Sequence, residues 1–586
     1  MLIVDLVVIP WGSECVVSMQ PRPWPEPDPQ VAAAIRAIYR GRRAVPLPVQ
    51  VRDRLGELFP DAAFAEAFGR AGKPGWSPGR LALVTVLQKA ANLTDRQAAD
   101  EVRENLAWKY ALGLDLEDPG FDHSVLPEFR SRVVAHGLEE RVLDLLLERL
   151  TALDLLTADG SQRTDSTHIV SAVRDLNRLE LVGESVRAAL NALAAACPDW
   201  VDQVLVVDDW SHRYGDRVDS WRLPTSKTKQ DKLALAYAQD GYTLLQAVYA
   251  PASPGWLREL PAVQTLRQVL VQNFTRTADR VGRLRIRRRE RAEDGGDGLP
   301  PAPSRLASPY DTDTRWSAKR ETFWNGYKLH VSETCHPQAE GDRPGRPNLI
   351  TNVTTTCSTL PDSKALSAIH QGLHRRHLLP ARHYLDSGYP SAELIASAAK
   401  TYGVALVTPV LLDTSRQAKA RQGFAAHDFT IDWENNKALC PAGKTSATWN
   451  DVVQEGVAKT VVSFAALDCI PCPVKERCTS SRQGRRLSLY PWELTEAIRA
   501  ARARQRDGTW QRDYALRAGV EGTVRQATHT TGLRRARYRG LAKTHLDHTT
   551  SAAALNLIRL HAWWNGHPLD RVNHSHLARL QLSLTA

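Results

Sequence analysis

QRDYALRAGVEGTVRQATHTTGLRRARYRGLAKTHL, residues 511–546, is the stretch on which the reading of the whole chain turns. Taken as one helix from about Trp510, it sets Tyr514, Arg517, Glu521 and Arg525 at successive offsets of three, four and four residues. That spacing is a single face of a 3.6-residue period. One carboxylate then lies between two arginines on one stripe. Spacing alone leaves two readings open: a solvated face laced with i,i+4 charge pairs, or a carboxylate held in a functional site.

Two acidic stretches upstream bear on that choice. RTDSTHIV carries Asp165 and HYLDSGYP carries Asp386. Each aspartate sits in or just after a short run of β-formers, residues 164–170 and 382–385, with Ser or Gly following. A carboxylate at a strand end is aimed without loop slack. Two strand-borne aspartates and a helix-borne glutamate are the hard oxygen ligands that a pair of divalent ions, Mg²⁺ or Mn²⁺, needs for in-line phosphoryl chemistry.

The order Asp, Asp, Tyr-x₂-Arg-x₃-Glu resembles the DDE transposases of bacterial insertion sequences, most closely the eleven-eighty-two type. The resemblance extends to TDRQAAD (94–100), FDHSVL (121–126), TDSTHIVSAVRDLNRLELVGE from Thr164 and GLRRARYRGLAKTHL from Gly532, and covers roughly residues 20–565. It implies a multidomain α/β chain with an RNase H-like core, catalytic Asp165, Asp386 and Glu521, and two metal ions per site. It also implies double-stranded DNA partners, the element's terminal inverted repeats and a target, and a homodimer in the active complex. Tyr514 and Arg517 carry over as supporting residues. Related families have a lysine seven residues after the glutamate; Thr528 stands there, and Arg525 or Lys543 is left to take over its phosphate contact.

Composition bounds the rest. At 586 residues the chain is expected to form three or four units. Its net charge of +11 favours a polyanionic partner. Eight cysteines, four of them crowded between Cys440 and Cys478, do not make a secreted disulfide framework. The apolar opening is broken by Asp5 and Pro10 and lacks a basic lead, so it reads neither as a signal peptide nor as a membrane span. The expectation is a cytoplasmic, nucleoid-associated protein with no membrane partner. The first eighteen residues, ahead of Met19, read as a disordered or mis-assigned start.

In order, residues 1–48 read as a flexible arm and 49–156 as a helical domain of five or six helices. Ser77-Pro78 and Thr94 are helix-start signals there. Residues 94–106 with 121–134 fit either a helix-turn-helix or a packing bundle. Residues 157–176 hold the first core strand, and 177–308 read as a helical insertion ending in a run with eight arginines between 276 and 291. That run is either a solvated helix face or a phosphate contact. Residues 309–410 resume the core, 411–490 form a Cys-rich insertion, 491–565 carry the glutamate helix, a basic segment and a closing helix over 551–564, and 566–586 are tail. Cys440, Cys469, Cys472 and Cys478 fit a structural Cys₄ zinc site, with reduced free thiols as the alternative. Arg534, Arg535, Arg537, Arg539 and Lys543, interleaved with Tyr538, read as a DNA-backbone surface with room for stacking.

Overall fold

The computed structural model describes residues 17–567 apart from 43, 70–72, 279–280, 282–283, 320, 337–345, 411–414, 420–422 and 455. The expectations for the first eighteen residues and for the tail over 566–586 lie largely outside the described residues.

A mixed sheet carries the architecture. Its strands are β1 (Ser161–Val170), β2 (Thr322–Thr334), β3 (Ile350–Cys357), β4 (Arg382–Leu385) and β5 (Ala405–Val407). Laterally they run β3-β2-β1-β4-β5, with β1–β2 and β2–β3 antiparallel and β1–β4 and β4–β5 parallel. A short strand, Arg315–Lys319, pairs antiparallel with the start of β2 and prolongs the sheet beyond β1. Threonine, valine and isoleucine dominate β3 and close β1 as Ile169-Val170, as suits strands of a packed sheet. The two parallel connections pass through helices, Asp362–Arg375 and Ala392–Tyr402, because a parallel neighbour cannot be reached by a tight turn.

The closing helix runs Leu541–Trp564, ten residues longer at its start than its apolar run predicts. Its first half is polar yet buried: Thr549 donates to the Glu139 carbonyl (2.6 Å), His548 meets Thr355 (2.7 Å), and Asp547 pairs with the buried Lys89. Those partners come from the N-terminal helices on one side and β3 on the other. Helices Pro78–Ala90, Val125–Ala135 and Arg141–Ala152 therefore share one continuous apolar core with the sheet, in place of the separate helical domain expected for 49–156.

The start signals Ser77 and Thr94 do cap helices. Ser77 accepts from the Arg80 amide (3.2 Å), and Thr94 and Gln97 form a reciprocal capping box. The two segments of the helix-turn-helix alternative are not joined by a single turn. A further helix, Leu106–Leu112, and a loop separate Asp95–Glu104 from Val125–Ala135, which buries Leu126, Phe129 and Val133.

The insertion after β1 has its own apolar core, built by helices including Arg178–Ala196, Lys227–Val248 and Pro261–Asn273. Its arginine run is not a helix face. Phe274–Ala278 and Leu284–Arg288 form a two-stranded antiparallel ribbon. Thr275, Thr277, Arg285 and Arg287 share one face and alternate at period two with Phe274, Arg276, Ile286 and Arg288 on the other, a β pattern that the density of arginine masks. Between β5 and residue 490, a three-stranded sheet of Thr448–Gln454, Val457–Ser463 and Arg486–Leu489 surrounds a small core with Phe429 and Phe464.

Candidate active site

β1 and β4 run parallel with Thr164 opposite Leu385. The next residue on each strand line is an aspartate, so Asp165 and Asp386 come side by side. Asp165 is nearly buried and Glu521, on the helix Gly519–Thr530, is exposed. Between the three carboxylates lies Arg517. Its Nη2 is 2.6 Å from Asp165 Oδ2 and 3.8 Å from Asp386 Oδ2, and its Nη1 is 3.0 Å from Glu521 Oε1. Burial pushes the Asp165 carboxyl up and the Asp386 charge adds to this, against the pull of Arg517. Burial works against the Arg517 charge, yet Asp165 and Asp386 more than offset it and hold the guanidinium above its ordinary range.

Three acids this close repel one another, and by sequence alone a metal ion is the natural remedy. Here Arg517 supplies one positive charge from within the motif, so the chain itself offsets part of that repulsion. Bringing Arg517 to that point requires a change of helical pitch. The stretch is not one helix: Gly508–Tyr514 gives way to a 3₁₀ turn, Ala515–Ala518, before the glutamate helix begins. Tyr514 stacks on Trp510, with ring centroids 4.8 Å apart, and donates to the Leu385 carbonyl (3.3 Å), next to Asp386. Arg525, expected on the same stripe, is exposed and among the described residues makes no ion pair with the three acids.

Beneath this cluster is a buried network that spacing does not reveal. Glu333 on β2 is fully buried and accepts from Arg163 Nε (2.7 Å), Arg559 Nη1 (2.8 Å) and Thr523 Oγ1 (2.5 Å). Arg163 also donates to the Leu516 carbonyl (2.6 Å), inside the 3₁₀ turn. A Cβ on Gly519 would come within 2.0 Å of the Arg163 guanidinium, so any side chain there would have to displace that group. β1, β2, the glutamate helix and the closing helix are thus joined through one carboxylate. The signal available in sequence was a charged residue inside each of two β runs, Arg163 near the start of one and Glu333 near the end of the other.

The basic segment after the glutamate helix divides in two. Residues 534–536 pair with the end of β1, since the Val170 amide donates to the Arg534 carbonyl (2.9 Å) and the Ala536 amide to the Val170 carbonyl (2.8 Å). Arg534 donates to Thr167 Oγ1 (2.9 Å) and the His168 carbonyl (2.8 Å), and Arg537 to the Leu93 carbonyl (2.8 Å). Both arginines are thereby tied into the fold and do not form part of an open backbone-tracking row. Tyr538 is no stacking platform either, because Lys89 and Arg130 lie over its ring at 5.4 and 4.8 Å. Arg535, Arg539 and Lys543 remain exposed.

Cys440, Cys469, Cys472 and Cys478 line one cavity of about 30 Å³. The Lys444 amide donates to Cys440 Sγ (3.3 Å) across a turn in which Gly443 takes φ +79°. Burial pushes the Cys478 thiol up; Arg485 pulls it down, and the other three cysteines push it further up. Four sulfurs facing one cavity, one of them already accepting a backbone amide, suit a thiophilic cation. Among the described residues no cluster of three or more His, Cys, Asp or Glu side chains is drawn into ligating geometry, here or at the three acids. Among the described residues no helix is long and apolar enough to cross a membrane.

Two family models match the chain. One, described as "Transposase DDE domain", covers residues 439–561 and so includes Glu521. The other, "Transposase domain (DUF772)", covers residues 40–132. No curated protein and no solved structure matches it. Both matches support a bacterial insertion-sequence DDE transposase, a class whose DDE domain implies nuclease and transferase activity, DNA substrates and, usually, divalent metals.

Proposed function

We propose that this chain, whose two family matches are both to transposase domains, cuts and rejoins DNA at the ends of its own insertion sequence. The observation that carries the reading is the convergence of Asp165, Asp386 and Glu521 on one guanidinium, from a strand, a strand end and a helix far apart in sequence. The lateral order β3-β2-β1-β4-β5, with three antiparallel strands followed by two parallel ones, supports an RNase H-like core.

In this reading the three carboxylates would hold two divalent ions, which supply activation of water or of a 3′-hydroxyl and stabilise the leaving oxygen. Arg517 keeps the acids together before the ions bind, and its fork suits a non-bridging phosphate oxygen afterwards. Tyr514, anchored beside Asp386, holds the turn that presents Arg517. The exposed Arg535, Arg539 and Lys543 contact the DNA backbone beside β1. Two copies of the chain bring two element ends together as a homodimer.

The deciding experiment incubates the purified protein with Mg²⁺, a duplex bearing the element's terminal inverted repeats and a target duplex. Strand-transfer products are expected. Cleavage without joining would reduce the chain to a nuclease. Binding with no Mg²⁺-dependent product would make it a DNA-binding regulator whose acids meet by chance.

The cysteine cavity has a separate role, as a staple for the small sheet around Phe429 and Phe464. Purified protein is expected to carry about one equivalent of zinc, with four thiolates leaving no open position for chemistry. Metal analysis of the protein and of Cys469→Ser should differ by that equivalent. Equal zinc in the two, or none in either, would remove the claim.

A further inference from the structure

On the face of the sheet turned away from Arg517 and Glu521, the stretches that carry Asp165 and Asp386 meet a fourth carboxylate. Side chains alternate along β1, so Ser166 faces opposite to Asp165. The Ser166 amide donates to Asp165 Oδ1 (2.8 Å), and the Ser166 hydroxyl donates to Asp362 Oδ2 (3.0 Å). Lys328 on β2 donates to the other oxygen of Asp362 (2.9 Å) and to the Leu360 carbonyl (2.6 Å). The Lys328 and Asp362 side chains are only 16% and 17% exposed. Asp362 also lies against the loop after Asp386, since a Cβ on Gly388 would stand 3.4 Å from its Oδ2. Tyr389 closes that loop. Its amide donates to the Asp386 carbonyl (3.1 Å), and its fully buried side chain brings the hydroxyl to 2.7 Å from Nδ1 of His330, the residue opposite Ser166 on β2.

We infer that Asp362 is a positioning residue for the three-acid site, acting through Ser166 to fix the direction of the Asp165 carboxylate. An aspartate in the first turn of a helix ordinarily serves that helix's own free amides and dipole. Both oxygens of Asp362 are drawn instead to the sheet, to Ser166 and Lys328 on two neighbouring strands. Ser166 is tied down at its hydroxyl while its amide holds Asp165 Oδ1, which leaves Oδ2 toward Arg517 (2.6 Å) and the other acids. Partners of this kind orient a metal ligand and typically contribute about ten- to a hundredfold to metal affinity. Lys328 offsets the Asp362 charge, so a fourth acid stands behind the site without adding its full repulsion to the three in front. This role rests on Asp165 being a metal ligand, as the transposase reading has it.

The test measures Mn²⁺ binding to the full chain without DNA, by electron paramagnetic resonance, and follows the binding that Asp165→Asn abolishes. Ser166→Ala and Asp362→Ala should each weaken it by at least about tenfold, and the double variant no further than the weaker-binding single, since the two residues act in one chain. Ser166→Thr keeps the hydroxyl and should bind as the wild type does. Duplex cleavage by the two alanine variants should need correspondingly more Mg²⁺, with the rate recovered at saturating metal. Unchanged Mn²⁺ affinity in Ser166→Ala would overturn the inference, as would an equal loss in Ser166→Thr. A lowered melting temperature with unchanged Mn²⁺ affinity in Asp362→Ala would make that residue structural only. The two readings fail separately. A wild type that binds Mn²⁺ at the acids and never cleaves DNA removes the transposase and leaves the positioning role; a wild type that cleaves, with Mn²⁺ affinity indifferent to both alanine variants, does the reverse; a wild type with no such binding overturns both.

Discussion

Asp165→Asn, Asp386→Asn or Glu521→Gln should each lower DNA strand cleavage by at least about 10³-fold, while binding to a duplex end stays close to that of the wild type. A bound divalent ion contributes several kcal/mol of charge stabilisation in phosphoryl transfer, and about 4 kcal/mol corresponds to that factor. Each substitution keeps the size of the side chain and removes the negative charge that would hold the ion. Binding is little affected because affinity for a duplex comes from cations, and none of these acids touches the exposed Arg535, Arg539 or Lys543 among the described contacts. Arg517 makes the experiment selective: it contacts all three acids, so each variant leaves it two carboxylate partners and the local fold stays compensated. Thermal unfolding of the variants should therefore stay near the wild type. Cleavage within tenfold of wild type for any one variant would take that residue out of the site.

The three acids were legible because each sits where local pattern is strongest. Asp165 and Asp386 lie in or beside β-rich runs, and Glu521 lies on a helical period. The lateral meeting of Asp165 and Asp386 was not legible, since it depends on a strand register between residues more than two hundred positions apart. Arg517 was visible as a neighbour of Glu521 but not as the centre of the cluster, because a continuous α-helix hides the 3₁₀ turn that moves it. The remaining misses share one cause, the reading of polarity as exposure. Residues 544–550 of the closing helix, Arg534 and Arg537 all look like surface, yet each is buried or half-buried, with Thr549, Arg534 and Arg537 hydrogen-bonded inside the fold. The ribbon was missed for a related reason: arginine outweighed the alternation of Thr275, Thr277 and Ile286 with their neighbours.

The largest loss of stability from one substitution is expected at Glu333. Its carboxylate is fully buried between Arg163 and Arg559, whose side chains are 10% and 13% exposed. Burial pushes its proton affinity up, but Arg559 and then Arg163 more than reverse this, so the group stays ionised below the usual glutamate range. A depressed folded-state affinity means that its contribution is fully present above the ordinary glutamate range and is lost only as pH falls through the lower folded value. Glu333→Ala leaves two guanidiniums facing each other without a counter-charge, a change that costs about 3–5 kcal/mol when a buried pair is broken. Hydrogen exchange in Gly519–Thr530 should rise first, since Thr523 loses its acceptor and Arg163 its anchor beside the Leu516 carbonyl. Glu333→Gln, which keeps the acceptor oxygen, should lose less. A triple replacement, Arg163→Met/Glu333→Leu/Arg559→Met, separates stability from positioning, because buried ion triads exchanged for apolar groups of similar volume are often neutral or stabilising. If the network serves to place the glutamate helix, the triple variant should recover its melting temperature and not its cleavage rate. Recovery of both would make Glu333 a packing residue only, and unchanged exchange in Glu333→Ala would remove its link to the helix altogether.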